Sequence, residues 1–247
     1  MLTLKGRTCV FAGATGAIGR GAVREMAENG MNVVMVTHDP GSAGEIINEL
    51  KGCSGQVIAV SNKDGDAAAL EQAEKYFGSV DVLISSTGAL NKVKTLEDVT
   101  EEEIENKLKH QITDPLMMVQ TAVPYLEKSK NGRIIFVTSG GALDGFSGEC
   151  LTDSVARGGV ISMTYCLAKI LVQKKITVNC IARSGFINDH VPKDSDDFNI
   201  SSIVDQIPVG HAGQAEEFGC LVAYIVSEEA AFTTGHVFNL TGGLHIG

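Results

Sequence analysis

The stretch Thr8-Cys9-Val10-Phe11-Ala12-Gly13-Ala14-Thr15-Gly16-Ala17-Ile18-Gly19 decides the fold. A short apolar run of the kind that forms a buried strand passes into a glycine cluster, and a helical pattern follows from Ile18 to Asn29. Backbone N–H groups of such a turn converge with a helix N-terminus where a pyrophosphate can sit, and glycines are needed because a Cβ would block the backbone's approach. Taken alone, the cluster reads equally as a tight strand-to-helix turn.

The rest of the chain supplies the context. Apolar, β-branched runs recur at Asn32 to Thr37, Gln56 to Val60, Val80 to Ile84, Arg133 to Val137, Thr177 to Ala182 and Val237 to Leu240. Helical patterns lie between them at Asp66 to Phe77, Glu101 to Leu126, Thr152 to Gln173 and Ala215 to Ser227. Alternation of this kind predicts an α/β fold of Rossmann type: a doubly wound, seven-stranded parallel sheet with helices on both faces. No repeat or linker divides the chain, so 1–247 is expected to be one domain. The aperiodic stretch Gly185 to Ser202, rich in Asn, Asp, Ser and Pro, is the candidate substrate lid.

Composition excludes several functions. Of 247 residues 44% are hydrophobic, enough for a full core, and a net charge of −10 repels polyanions, so nucleic acid is not an expected partner. No apolar run reaches about 18 residues without charge, and Met1 to Gly6 lacks the parts of a signal peptide, so a cytoplasmic protein with no membrane partner is expected. Six cysteines stand singly with no C-x-x-C pair and are expected to be reduced and mostly buried; no metal site is expected.

The glycine turn resembles the T-G-x-x-x-G-x-G of the short-chain dehydrogenase/reductase family, with its outer glycines at Gly13 and Gly19, the middle one displaced to Gly16, and Ala12 in place of the leading Thr. Asp81-Val82-Leu83-Ile84-Ser85-Ser86-Thr87-Gly88 resembles the family's D-x-L-V-N-N-A-G. Ile207-Pro208-Val209-Gly210, Ala215-Glu216-Glu217 and Gly235 to Gly243 extend the likeness over nearly the whole chain. The resemblance implies an NAD(P) cofactor touched by Gly13, Thr15, Gly16, Ile18, Gly19, Thr37, His38, Val60, Ser86, Gly88, Arg157, Gly185 and Ile187. It also implies a small-molecule substrate and a homodimer or homotetramer built on the long helices around Thr152 to Gln173.

Cofactor choice turns on the end of the second strand, where a carboxylate would repel a 2′-phosphate. Thr37 stands there with His38 beside it, which favours NADP over NAD, although Asp39 follows and the turn has no basic residue before Gly19. The family's adenine-gripping Asp at the third strand corresponds to Ala59.

At the catalytic positions the likeness breaks. The family uses a Tyr acid/base, a Lys four residues on, a Ser that orients the substrate oxygen, and an Asn on the preceding helix. Ser139 holds the Ser position and Gln111 the Asn position, but Asp153 falls on the Tyr and Arg157 on the Lys. A literal Tyr-x-x-x-Lys does occur at Tyr165 to Lys169, but it lies 26 residues after Ser139 rather than about 13, and it is read as a surface or interface pair. Gly148 to Thr152 brings Glu149, Cys150 and Thr152 near the missing phenol, and His190 falls on the lid. Three functions fit these residues. The leading one is an NAD(P)-dependent oxidoreductase acting on a small carbonyl or hydroxyl substrate with an altered proton relay through Ser139, Asp153, Arg157 and Gln111. The others are a non-redox enzyme of the same fold (epimerase, lyase or dehalogenase) and a non-catalytic cofactor-binding or regulatory paralogue.

Overall fold

The computed structural model describes residues 2–86, 96–145, 151–186 and 204–246. Gly88, Ile187, Glu149, Cys150, His190 and the lid beyond Phe186 lie outside them.

Seven strands form one all-parallel sheet: β1 Thr8–Ala12, β2 Asn32–Thr37, β3 Val57–Ser61, β4 Val82–Ser85, β5 Gly132–Ser139, β6 Ile176–Arg183 and β7 Val237–Leu240. Their order is β3-β2-β1-β4-β5-β6-β7, so the chain reverses its direction of winding between β1 and β4, where a doubly wound sheet opens a crevice. All five β1 residues are buried because the strand is covered on both faces. Alternate side chains serve alternate faces. Cys9 and Phe11 pack with Val23, Met26, Phe218 and Val222 in one core, and Val10 with Leu70, Ala122, Phe136 and Leu171 in the other.

The helices are α1 Ala17–Glu28, α2 Pro40–Glu49, α3 Asp66–Phe77, α4 Glu101–Leu108, α5 Asp114–Leu126, the short α6 Gly141–Asp144, α7 Leu151–Leu171 and α8 Ala215–Val226. Strand and helix bounds agree with the sequence expectation to within two residues except in three places. α2 was not expected, although Asp39 caps it and Pro40 occupies its first turn; Gly41 and Gly44 obscure the helical pattern. α6 was not expected either, being a single turn after β5. The long helix expected from Glu101 to Leu126 is broken by a π-helical turn, Lys109–Thr113, between α4 and α5.

α1 and α8 cross on glycine. A Cβ on Gly21 would lie 2.2 Å from the Ala215 carbonyl oxygen, and one on Gly219 2.7 Å from the Gly21 carbonyl oxygen. Buried Arg133 donates through Nη2 to the Ser227 carbonyl at 3.0 Å, and Arg7 donates to that of Val226, so two arginines fasten the C-terminal end of α8 beneath the sheet.

One expectation from composition, that of mostly buried cysteines, needs correction, and one helix calls for comment. With the 3-10 turn after it, α7 is long and apolar enough to cross a membrane by length and composition, although only 39% of the apolar window is buried in the fold. Its buried residues, among them Ala156, Val160, Leu167 and Leu171, belong to the crossover between β5 and β6, so sheet packing accounts for one apolar face. The cysteines are not mostly buried: of the five described, Cys9 and Cys180 are buried, Cys53 is half-buried, and Cys166 and Cys220 are exposed.

Candidate active site

A cleft of about 1280 Å³ opens at the C-terminal ends of the strands, beside the switch between β1 and β4. This exceeds the roughly 300–1,000 Å³ usual for one small ligand, leaving room for a dinucleotide and a second molecule.

Its first wall is the turn from β1 into α1. Gly13 has φ +87°, and a Cβ there would sit 2.1 Å from the Ser86 carbonyl oxygen, so glycine is required for both conformation and approach. Gly13, Thr15, Gly16, Ala17 and Ile18 line the cleft, and Gly19 lies buried beneath the turn. α1 has Gly16 as its N-cap, with no side-chain cap and no acidic residue in its first turn. Asp39 caps α2, Thr100 caps α4, and Gln214 with Glu217 forms a capping box on α8, whereas α3, behind Gly65, is uncapped like α1. The first N–H groups of α1 are therefore available to an anion, and the pyrophosphate of a dinucleotide fits them.

The adenosine side is formed by Thr37, His38, Asp39, Ser42 and Asn62. Thr37 Oγ1 lies 3.2 Å from Thr15 Oγ1 and accepts the Asp39 N–H at 3.0 Å. The Asp39 carboxylate accepts the Ser42 hydroxyl at 2.5 Å and the Gly41 and Ser42 N–H groups. These hydrogen bonds, the Ser42 hydroxyl foremost, hold its pKa below the usual carboxylate value. Val60 is buried in β3 and does not line the cleft; Asn62, two residues on, does. Ser86 lines it, whereas Gly185, at φ +72°, packs against Ile207.

Opposite the glycine turn the cleft is floored by Thr138 from β5, Arg157 from α7, Arg183 from β6, Gln111 from the π turn and Lys107 from α4. Asp153, only 1% exposed, stands behind this surface and organises it. Its Oδ1 accepts Lys107 Nζ at 2.9 Å and Gln111 Nε2 at 3.1 Å, with Arg157 Nε at 3.5 Å. Asp153 and Arg157, four residues apart on α7, share a face, and the π turn places Gln111 toward them. Thr152, just before Asp153, donates its hydroxyl to Glu103 at 3.1 Å. Three of the four expected catalytic residues, Gln111, Asp153 and Arg157, thus converge. Ser139, buried at the end of β5, is not among the described residues that line the cleft, and its hydroxyl accepts the Gly141 N–H at 3.3 Å. Tyr165 is 47% exposed on α7, and neither it nor Lys169 is among the described residues that line the cleft.

Sequence reasoning missed Lys107 and Arg183. Lys107 sits in an acidic first-turn helix, Glu101 to Leu108, that reads as a solvated face, and only the fold turns this one side chain inward. Arg183 had a legible signal, a cation at the last position of a buried strand. Its pKa is pulled down to about 10, first by burial and then by the neighbouring Arg157 guanidinium.

A doubly wound parallel sheet with an uncapped glycine turn beside its crevice defines a dinucleotide-binding protein. The profile of the enoyl-(acyl carrier protein) reductase group matches residues 13–245. The chain is 27% identical over 249 residues to the 3-oxoacyl-[acyl-carrier-protein] reductase of Thermotoga maritima, covering 99% of this chain and all of the relative. It is 26% identical to that of Escherichia coli over 247 residues, with 99% and 100% covered. Among solved structures, a Serratia marcescens short-chain dehydrogenase/reductase superposes with a TM-score of 0.88 at 21% identity, over 98% of each chain. L-sorbose reductase from Gluconobacter frateurii, complexed with NADPH and L-sorbose, gives 0.87 at 20% identity, also over 98% of each. The chain belongs to the short-chain dehydrogenase/reductase family, as an NAD(P)-type oxidoreductase with a small-molecule substrate.

Proposed function

We propose that this protein, acting as one NAD(P)-binding domain, reduces or oxidises a small carbonyl or hydroxyl substrate with Lys107 in place of the family's tyrosine as proton donor. The observation that carries this reading is the Lys107–Asp153 pair: an ammonium on the cleft surface, held at 2.9 Å by a buried carboxylate at the position where the family has its Tyr. A bound nicotinamide supplies or accepts the hydride. Lys107 delivers the proton that a carbonyl oxygen needs as it becomes an alcohol, and takes one back in the reverse direction. Asp153 positions the ammonium, Gln111 fixes the free rotation of that carboxylate, and Arg157 holds a ribose or substrate oxygen with a fork that cannot itself surrender a proton. Ser139, whose oxygen is occupied by the Gly141 N–H, keeps its hydroxyl hydrogen to donate to the substrate oxygen.

The same reading takes NADP(H) at least as well as NAD(H). Thr37 places no carboxylate at the end of β2, and the Asp39 carboxylate is engaged by Ser42 and the start of α2. The exposed apolar side chains Leu116 and Met117 of α5 and Val155, Tyr165 and Ile170 of α7 suit burial against a second copy, as a homodimer or homotetramer. Free thiols at all five described cysteines accord with a cytoplasmic setting. The test is oxidation of NADPH and NADH, followed spectrophotometrically, against a panel of small ketones. Lys107→Met should lower any turnover at least 100-fold while nucleotide binding by calorimetry stays within threefold. Nucleotide binding with no turnover on the panel would favour a non-catalytic paralogue instead.

A further inference from the structure

We propose that the substrate carries its own oxyanion, a carboxylate, and that Arg183 together with Arg157 binds it. This deepens the oxidoreductase reading and rests on it.

Among the described residues of the cleft floor, cations outnumber anions. Lys107 and Arg157 are buried, Arg183 is half-buried, and the carboxylate buried among them is Asp153. Asp153 already receives Lys107 and Gln111 and faces Arg157 Nε at 3.5 Å. The other carboxylates lining that side belong to α4 and α5 and are more exposed: Glu102 in solvent, Glu103 turned to the Thr152 hydroxyl, and Asp114 paired with Lys109 and His110. Among the described residues no carboxylate pairs with Arg183, and none gives its Nε, which is shielded from solvent, a hydrogen-bond partner. Arg183 and Arg157 line the same cleft, and the Arg183 pKa is depressed first by burial and then by the Arg157 charge. Arg157 already faces Asp153 at 3.5 Å, so an entering anion would relieve Arg183 first, and planar guanidinium groups match the two oxygens of a carboxylate.

The anion is not the cofactor's pyrophosphate. That group belongs at the start of α1, at the end of β1, whereas Arg183 ends β6, three strands away. With neighbouring strands about 4.8 Å apart, the separation is roughly 14 Å. Arg183 pairs in register with Ser139, the residue proposed to orient the substrate oxygen, so an anion here lies beside the reacting carbonyl. A short oxo acid has this shape.

The experiment compares acetoacetate with methyl acetoacetate, which keeps the ketone and removes the charge. Both are titrated by calorimetry into the full chain with saturating NADP⁺ and without nucleotide, alongside Arg183→Met and Arg183→Lys variants. Acetoacetate should bind at least tenfold tighter than the ester. Arg183→Met should abolish the difference, Arg183→Lys should retain part of it, and all three proteins should bind NADP⁺ within threefold of one another. Equal binding of acid and ester, or no binding of acetoacetate, overturns the inference. So does an Arg183→Met variant that loses NADP⁺ affinity tenfold while keeping the preference for the acid. If acetoacetate binds through Arg183 but neither nucleotide binds, the carboxylate site stands and the oxidoreductase reading falls.

Discussion

Replacing Lys107 by Met tests the centre of the proposed site by two routes. Removing one partner of a buried ion pair leaves the other charged and desolvated, at a cost of about 3–5 kcal/mol. Asp153 would retain Gln111 Nε2 at 3.1 Å and Arg157 Nε at 3.5 Å, so the low end, about 3 kcal/mol, is expected. For a chain of this size that is a fall of about 6–12 °C in Tm, readable by calorimetry. Adding Asp153→Asn removes the stranded charge while keeping an oxygen for Gln111, and should recover about half the loss. Lys107→Arg separates stability from chemistry, since a guanidinium pairs with Asp153 but does not release a proton: Tm should stay near that of the parent while turnover falls at least 100-fold. If Lys107→Met costs less than about 1 kcal/mol, or if the two substitutions are simply additive, the residues do not share the interaction and the reasoning fails.

Four further outcomes are expected. Thr37→Asp should shift preference toward NAD⁺ by placing a carboxylate against a 2′-phosphate; a parent protein that strongly prefers NAD⁺ in titration would contradict the cofactor reading. Tyr165→Phe should leave turnover within twofold of the parent, whereas Ser139→Ala should lower it at least tenfold, about 1.4 kcal/mol in barrier; the reverse pattern in steady-state rates would move the acid/base along α7. Gly13→Ala should abolish nucleotide binding by calorimetry, because its Cβ would stand 2.1 Å from the Ser86 carbonyl; retained affinity would show that the turn is not the phosphate cradle. Native protein at pH 8 should react with a thiol reagent at the exposed Cys166, and more slowly at Cys220, whose pKa is raised first by desolvation and then by neighbouring carboxylates such as Glu25, while Cys9 and Cys180, buried and with pKa pushed upward by desolvation, stay inert until unfolding; mass spectrometry showing label at Cys180 would contradict its packing.

What could be read from the sequence follows the range of the interactions involved. β1, the glycine turn and α1 are local, and Thr8 to Gly19 specified them through pattern and backbone sterics. α2 was hidden because its glycines lower helix propensity, although the Asp39-Pro40 start was there to be read. Gln111, Asp153 and Arg157 were found through resemblance, and the fold brings them to one place. Lys107 could not be found that way. It is 46 residues from Asp153, and only the tertiary packing of α4 against α7 distinguishes it from the solvated charges around it. The π turn is hard to read for another reason, since the one-residue shift it puts into the apolar periodicity looks the same as ordinary scatter in a helical pattern.

The glycine crossing of α1 on α8 has a consequence in time. The helix that begins the nucleotide turn is seated by Gly219, almost 200 residues later in the chain, at approaches no side chain would allow. A ribosome releasing this chain N-terminus first makes β1 and α1 early, yet their outer face stays uncovered until α8 has emerged. Such a contact is among the most non-local the topology contains, and non-local closure slows folding. Nucleotide affinity should therefore arise late in synthesis, and a nascent chain stalled before Ala215 would have the whole glycine signature and no functioning cradle.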